Sequence, residues 1–220
     1  MILLSLVRLE MRFLVALFAL AGVSYAATGF DAIDTITSAK FGCMKTNGYS
    51  FFIGRVYRSS GSVDTAGIAN MNNAIAGGMA HVDGYIFPCF TCSATPAQQA
   101  DAAVNAVKGV KYGMLWLDIE VYKWSTNLQT NRNWILAFGN ELTAKGVSWG
   151  VYSSYNNWQN IVGLDWTALS NKPLWWATYN GQANFNNFKA FGGWTKPSIH
   201  QYAGDTAGPC GFNVDKNWYP

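Results

Sequence analysis

Short apolar runs alternate with amphipathic segments along most of the chain, a pattern that predicts strands and helices in turn. Thr95 and Pro96 mark one helix start as an N-cap and a first-turn proline, and Gly146 follows a helix end. Repeated strand–helix units predict a parallel sheet with right-handed crossovers. The predicted strands cover residues 29–33, 50–57, 82–87, 114–120 and 147–152, and the predicted helices cover residues 37–47, 64–77, 96–108, 130–145 and 155–162.

The pattern changes after residue 162. Residues 174–179, 198–202 and 212–215 are predicted strands, but loops rich in glycine and asparagine join them instead of long helices. Eight strands closing on themselves would make an irregular α/β barrel whose last helices are reduced. An open doubly wound sheet is the alternative, although no G-x-G-x-x-G or phosphate loop follows the first strand.

The first 26 residues have the pattern of a signal peptide. A basic start ending at Arg12 precedes the apolar run 13–23, and a small-residue cleavage site ends at Ala26. We therefore expect a mature domain of residues 27–220 that is secreted or delivered to a lysosome-like compartment. Met11 could also be the true start. No later apolar run reaches 18 residues, so no stable membrane association is expected after cleavage.

Composition and charge exclude several classes of protein. Half of the residues are apolar and 15% are aromatic, which is not a disordered composition. The net charge is only +3 and no basic run is present, so no nucleic-acid partner is expected. His81 and His200 are the only histidines and lie far apart in sequence, which argues against a metal centre, a cofactor and a Ser-His-Asp or Cys-His hydrolase.

An even number of cysteines in an exported chain predicts two disulfides. Cys43, Cys89, Cys92 and Cys210 can pair in three ways. In one of these, Cys89 and Cys92 close their own short loop, and Cys43 joins Cys210 to clip the N-terminal third to the C-terminal end. A zinc site at the C-x-x-C segment would need a second ligand pair, which does not accompany it.

Two carboxylates end the apolar segment 114–120. Asp118 and Glu120 are two residues apart in a predicted strand, so their side chains share a face while Ile119 points to the other. Burial and mutual repulsion should raise the pKa of at least one of them. One protonated and one ionised carboxyl group are what glycosidic bond hydrolysis requires. The alternative is a strand-end pair that binds a cation or caps the next helix.

The other predicted strand ends carry mainly acids, phenols and amides. In a parallel barrel these ends meet at one face, where they would form an acidic, aromatic-lined cleft suited to a carbohydrate. Trp175 and Trp176 point to opposite faces, so one of them packs beneath the helices. The strand-end residues are Asp31, Arg55, Tyr57, Tyr85, Phe87, Tyr152, Trp176, Tyr179, Gln201, Tyr202 and Asp215.

An ordered set of motifs resembles glycoside hydrolase family 25, in particular its invertebrate, nematode-like lysozymes. The resemblance covers nearly all of residues 29–217 and implies an irregular, flattened (β/α) barrel of about eight strands. It also implies cleavage of the β-1,4 bond between N-acetylmuramic acid and N-acetylglucosamine in peptidoglycan, by a monomer acting in digestion or antibacterial defence. The motifs are G-F-D at 29–31, Y-I-F-P at 85–88, L-D-I-E at 117–120, G-V-Y-S at 150–153, L-W-W-A-T-Y at 174–179, Q-Y at 201–202 and V-D-K-N at 214–217.

The resemblance also implies roles for individual residues. Glu120 would be the general acid, and Asp118 would stabilise positive charge or orient the substrate's N-acetyl group. Asp31 and Asp215 match the first-strand and last-strand acids and would position substrate or water. His200 stands where an aromatic residue is more usual, which leaves substrate preference open. The expected substrate contacts are Tyr85, Phe87, Tyr152, Trp176, Tyr179, Gln201 and Tyr202.

Two other functional hypotheses are alternatives to a muramidase. Chitinases of family 18 end the fourth strand with D-x-D-x-E, but Trp116 occupies the position of the leading acid here. The second reading is a glycan-binding protein without catalysis on the same barrel. It predicts a damaged acid set, whereas all four matching acids are present, which favours an enzyme.

Overall fold

The computed structural model describes residues 26–120 and 122–220, so residues 1–25 of the expected signal peptide lie outside the described part of the chain. No helix in the described part is long and apolar enough to span a membrane. The strands are β1 (Ala27–Asp31), β2 (Tyr49–Arg58), β3 (Ser62–Val63), β4 (His81–Ile86), β5 (Leu115–Asp118), β6 (Trp149–Ser153), β7 (Leu174–Ala177), β8 (Ile199–Ala207) and β9 (Asn213–Tyr219). The helices are α1 (Ser38–Thr46), α2 (Thr65–Ala76), α3 (Pro96–Ala106), α4 (Leu128–Ala144) and α5 (Tyr155–Ile161).

Eight strands close into a barrel, as the sequence predicts. From β1 the hydrogen-bonded order runs through β2, β4, β5, β6, β7, β8 and β9, and β9 returns to β1. All neighbours are parallel except β8–β9 and β9–β1, because β9 runs against the others. The register of that last pair places Asp31 opposite Asp215. The reversal of β9 therefore brings its N-terminal end to the face where the parallel strands have their C-terminal ends.

The helix boundaries follow the capping signals in the sequence. The Thr95 hydroxyl oxygen accepts a hydrogen bond from the Gln98 N–H, and the Gln98 side-chain oxygen accepts one from the Thr95 N–H. These two bonds make a capping box at the start of the helix that begins with Pro96. Asp64 caps α2 by accepting the N–H of Gly67. In the described part of the chain no helix follows α5, so the prediction of reduced last helices is confirmed.

The strands of the structure differ from the predicted ones at four places, β3, β5, β8 and β9. The short β3, which pairs only with β2, was not predicted, because two residues carry too little periodicity to be recognised. β5 ends at Asp118, so Glu120 lies beyond the last paired residue instead of inside the strand. β8 and β9 are longer than predicted because they extend each other as an antiparallel hairpin beyond the apolar part of each strand.

Alternating side chains give the barrel two apolar layers. One layer lies between the strands and the helices and includes Phe30, Phe52 and Trp176. The other fills the barrel interior and includes Trp116, Tyr152 and Trp175. Neighbouring residues of a strand enter different layers, as Trp175 and Trp176 do, because successive side chains of a strand point to opposite faces. The interior aromatic layer forms the floor under the strand ends.

The disulfides join Cys43 to Cys210 and Cys89 to Cys92. The first bond ties α1 to the loop between β8 and β9, so it links the N-terminal part of the domain to its C-terminal hairpin. The second closes the loop that follows β4. No free cysteine remains in the described part of the chain. Of the three pairings open to the sequence, the structure has the one that clips the two ends of the domain.

We expect the Cys43→Ser/Cys210→Ser variant to lose about 4–5 kcal/mol of unfolding free energy, because the bond closes a loop between residues 167 apart. The Cys89→Ser/Cys92→Ser variant should lose much less, since that bond joins residues only 3 apart. Urea denaturation followed by circular dichroism measures both losses. Equal losses in the two variants would contradict the expectation.

Candidate active site

The predicted acids meet in one pocket at the C-terminal ends of the parallel strands. Asp31, Asp118, Glu120 and Asp215 all line it, and its volume is about 220 Å³. Five of the seven predicted substrate contacts also line this pocket. Its remaining lining residues are Arg55, Tyr85, Phe87, Tyr152, Trp175, Tyr179 and Gln201.

The backbone after β5 is held so that Asp118 and Glu120 face the pocket together. Ile119 lies between them and is buried in the outer apolar layer. Its N–H donates to the Tyr152 carbonyl at 2.9 Å, and its carbonyl accepts the Ser153 hydroxyl at 2.7 Å. The Trp124 indole N–H donates to the Glu120 carbonyl at 2.8 Å. The chain therefore keeps strand-like alternation for two residues beyond the sheet, as the shared-face prediction requires.

Burial raises the pKa of both carboxyl groups. Asp118 is 3% exposed, and burial, then the Glu120 and Asp31 charges, raise its pKa well above the ordinary value, while Arg55 lowers it. Burial, then the Asp215 charge, raise the pKa of Glu120. Because the Glu120 charge raises the pKa of Asp118, ionisation of either group makes ionisation of the other harder. The pair therefore keeps one proton at a pH where two isolated carboxyl groups would both be ionised.

Asp118 has an oxygen without a partner. Its Oδ1 is buried and accepts no hydrogen bond from the described residues. A buried carboxylate oxygen without a donor costs free energy, so such an atom marks a place where a donor from outside the protein would be bound. The Asp118 side chain lines the pocket. The pocket therefore has an acceptor ready for an N–H or O–H group of a ligand.

Asp31 and Asp215 form a second carboxyl pair. Burial, then the Asp215 charge, raise the pKa of Asp31 well above its ordinary value, and Asp31 hydrogen-bonds Asp215. Two amides donate to Asp31 Oδ1, Gln201 from 2.8 Å and Asn217 from 2.7 Å. Asp215 itself accepts the Asp205 N–H at 2.5 Å. Asp31 is therefore oriented by amides from two sides, and burial together with the Asp215 charge favours its protonated form.

A hydrogen-bond network connects the phenols to this pair. The hydroxyls of Tyr152 and Tyr179 donate to Gln201 Oε1 at 2.6 Å and 3.0 Å. On the other side, the Trp175 indole N–H donates to Asn217 Oδ1 at 2.7 Å. Gln201 thus has partners at both ends of its amide, so it orients other pocket residues as well as lining the pocket.

Two of the predicted substrate contacts do not line the pocket. Trp176 is 2% exposed and packs outside the barrel against Phe188 and His200, while Trp175 takes the pocket position. Tyr202 does not line the pocket either, since its ring lies beside His200 at 6.1 Å. Both differences from the prediction have one cause. Where one strand residue faces the interior, the next must face the helices, and the motif alone does not say which is which.

Arg55, Trp175 and Asn217 are pocket or network residues to which sequence reasoning assigned no role. Arg55 donates from Nε to Asp64 at 2.6 Å, and Asp64 also accepts Arg58 at 2.7 Å. Burial raises the pKa of Asp64, but the hydrogen bonds from Arg58, Arg55 and Gly67 outweigh burial and lower it to about 2. Asp64 therefore holds Arg55 beside the carboxyl groups. The position of Arg55 at a strand end was the signal that could have identified it.

The pocket continues into open space on both sides. One extension of about 400 Å³ shares Glu120, Tyr152 and Tyr179 with it and adds amide and hydroxyl groups around Asn156. The other, of about 450 Å³, shares Asp31, Tyr85 and Asp215 and adds residues around Asp205. Because the three cavities share lining residues, together they form a groove that extends beyond the carboxyl groups. Among the described residues, no group of three His, Cys, Asp or Glu side chains is arranged to hold a metal ion.

Known proteins are similar to this chain in sequence and in fold. The sequence model of the family described as "Lysozyme-like protein 1" matches residues 22–202. "Lysozyme-like protein 5" of Caenorhabditis elegans is 48% identical over 202 residues, which are 90% of this chain and 94% of that protein. "Probable GH family 25 lysozyme 2" of Dictyostelium discoideum is 41% identical over 215 residues, 96% of this chain and 100% of that protein. The structure of a family GH25 lysozyme from Aspergillus fumigatus has a TM-score of 0.71 at 20% identity and covers 89% of this chain and 94% of that one.

A barrel that gathers carboxyl groups in a pocket at the C-terminal ends of its parallel strands has the residues that glycosidic bond hydrolysis needs. With the sequence matches, the protein is assigned to the glycoside hydrolases. The chain belongs to the lysozyme-like proteins of glycoside hydrolase family 25. The family resemblance seen in the sequence motifs and the barrel that it implied are both confirmed.

Proposed function

We propose that this enzyme is a muramidase that hydrolyses the β-1,4 bond between N-acetylmuramic acid and N-acetylglucosamine in bacterial peptidoglycan. The observation that carries the proposal is the placement of buried Asp118 and half-buried Glu120 in one pocket that continues into a groove, where burial raises the pKa of both carboxyl groups. A glycan strand is a polymer, so it needs a groove that continues past the bond being cut. Aromatic and phenolic side chains suit the apolar faces and the hydroxyls of its sugar rings.

Glu120 is the general acid in this proposal. As the bond between the anomeric carbon and the glycosidic oxygen breaks, its electron pair goes to that oxygen, which takes the proton from Glu120. The pKa of Glu120 is raised by burial and by the Asp215 charge, so the proton is retained until it is needed. Glu120 then accepts a proton from the water that completes the hydrolysis, which restores the acid.

Asp118 acts on the sugar ring. Its unpartnered Oδ1 accepts the N–H of the substrate's N-acetyl group, which turns the acetamido oxygen towards the anomeric carbon as that carbon gains positive charge. A hydrogen bond to the ionised form favours that form, so substrate binding lowers the pKa of Asp118 and leaves the shared proton on Glu120. Arg55 also lowers the pKa of Asp118. Substrate binding thus favours the protonated form of Glu120, which the reaction requires.

The location and state of the enzyme follow from the proposed substrate. We propose that residues 1–26 direct export and are removed, and that the enzyme works as a monomer outside the cell or in a lysosome-like compartment. The two disulfides support this because such bonds persist in oxidising surroundings. The proposed role is digestion of bacteria or defence against them.

Product analysis tests the proposal. Purified peptidoglycan is digested, reduced with borohydride and analysed by mass spectrometry. We expect disaccharide peptides that end in muramitol, because cleavage leaves N-acetylmuramic acid at the new reducing end. Ends in glucosaminitol, or intact glycan strands stripped of peptide, would contradict the proposal. Tight binding to cell walls without any product would instead indicate a glycan-binding protein without catalysis.

A further inference from the structure

His200 is a buried histidine that the proposed chemistry does not use. It lies on β8 with no exposed surface, and its ring faces away from the pocket. The ring stacks on the Trp176 indole, with centroids 4.1 Å apart and an angle of 20° between the planes. Nδ1 lies 2.7 Å from the Asn184 carbonyl oxygen, and Nε2 lies 2.9 Å from the Thr178 carbonyl oxygen. Each ring nitrogen therefore faces a group that can only accept a hydrogen bond.

Both contacts are hydrogen bonds only when the ring carries two protons. A neutral imidazole has one N–H, so one nitrogen would turn its lone pair towards a carbonyl oxygen at hydrogen-bond distance. The doubly protonated ring donates to both carbonyls, and each bond is then charge-assisted. A cationic ring also gains from stacking on an indole face.

The two carbonyls belong to one loop of the active site. Thr178 and Asn184 bracket Tyr179, which is 61% exposed and lines both the pocket and its amide-rich extension. The Tyr179 hydroxyl reaches back to Gln201 at 3.0 Å. The backbone of the loop also meets β8, since the Thr178 N–H donates to the Gln201 carbonyl. His200 thus joins the two ends of a segment that carries one wall of the groove.

We propose that His200 is a proton-dependent positioning residue: when doubly protonated, it ties the Thr178 and Asn184 carbonyls together and so fixes Tyr179 in the groove. When the ring loses one proton, one of the two bonds is lost and the 178–184 loop loosens. This device regulates the same groove as the proposed function, so its effect on activity rests on that function. The effect of His200 on the loop is independent of the proposed function.

Lowering the pH favours the doubly protonated ring and so fixes the loop. The pKa of His200 lies below its ordinary value, because burial lowers it by more than the hydrogen bonds to the carbonyls of Thr178, Asn184 and Gln182 raise it. The neighbouring β7 presents Trp176 to the ring, β9 places Trp218 opposite His200, and Tyr202 is the titratable side chain in ring contact. No carboxylate among the described residues contributes to the pKa of His200. The loop is therefore fixed as the pH falls below the ordinary pKa of histidine and loosens as the pH rises.

Nitrogen NMR of the histidine rings tests the protonation. The chain has only one other histidine, the exposed His81 at the opposite end of the barrel, so the assignment needs just the His81→Gln variant. We expect His200 to show two equivalent, protonated ring nitrogens at acid pH and to lose one proton as the pH rises. A ring that stays neutral with a single tautomer from pH 4 to pH 8 would overturn the proposal.

Hydrogen–deuterium exchange tests the loop in the same protein. After correction for intrinsic exchange, protection of residues 178–184 should fall about tenfold or more across the His200 transition, as expected for loss of one charge-assisted hydrogen bond. His200→Phe keeps the stack on Trp176 and removes both donors, so its loop should be weakly protected at every pH. His81→Gln should behave like wild type. Wild-type protection that does not change across the transition would also overturn the proposal, even if His200→Phe does not fold.

Activity assays separate this device from the proposed function. If the enzyme cleaves peptidoglycan, His200→Phe should raise KM for soluble glycan chains several-fold at acid pH with a smaller change in kcat, because Tyr179 is a wall of the groove and not the acid. An unchanged KM in a folded variant whose loop has loosened would contradict the effect on the groove. If no substrate is cleaved, the proposed function fails, and the NMR and exchange results still decide the role of His200.

Discussion

Replacing Glu120 by glutamine is expected to lower the rate of cell-wall lysis by about 10²–10⁴-fold while the fold stays intact. Glutamine keeps the shape of the side chain but cannot donate the proton, and general acid catalysis contributes about this factor. The rate is measured as clearing of a suspension of bacterial cell walls, and the fold is checked by circular dichroism. Activity above half of the wild-type value would show that Glu120 is not the acid.

Glu141 provides a matched control for this substitution. It lies on α4, where it pairs with Lys145, and it does not line the pocket. The same change, Glu141→Gln, should leave lysis near the wild-type rate, because an ion pair at the surface of a helix contributes little. A similar loss in both variants would mean that the assay reports stability instead of proton donation.

Replacing Asp118 by asparagine should lower the rate by about 10²–10³-fold, the usual effect of removing a group that stabilises charge in the transition state. It should also change the pH dependence of the rate. Glu120 works only while it is protonated, so the alkaline limb of the profile follows its pKa. A neutral amide at position 118 no longer repels the Glu120 carboxylate, so that carboxyl group ionises at lower pH and the alkaline limb moves to lower pH.

The acid limb gives a second readout for the same variant. In wild type it reports protonation of Asp118, so it should disappear in Asp118→Asn because an amide does not titrate. The Asp165→Asn variant is the control, since that side chain is 84% exposed and pairs with Arg132 outside the pocket. It should keep both limbs. An alkaline limb that moves to higher pH in Asp118→Asn would show that Asp118 and Glu120 do not interact electrostatically.

The sequence by itself determined the elements of the barrel and the acids of its site. The periodic apolar runs predict every strand except β3, because each strand buries at least one face. The acids were recognisable because a carboxyl group at the end of an apolar strand is exceptional, and Asp118 and Glu120 share a face by local geometry alone. Both depend on residues close together in the chain, which is the range over which a sequence pattern is informative.

Only the tertiary structure decided which of two neighbouring strand residues faces the groove and which side chains make contacts across the barrel. Trp175 and Trp176 are equivalent in the sequence, and closure of the barrel alone turns Trp175 inward. Asn217 reaches Asp31 from the other end of the chain because β9 runs against β1. His200 faces two carbonyls of a loop about twenty residues before it. These contacts join residues distant in sequence, and their geometry depends on the packing of the whole barrel, so no local pattern of residues records them.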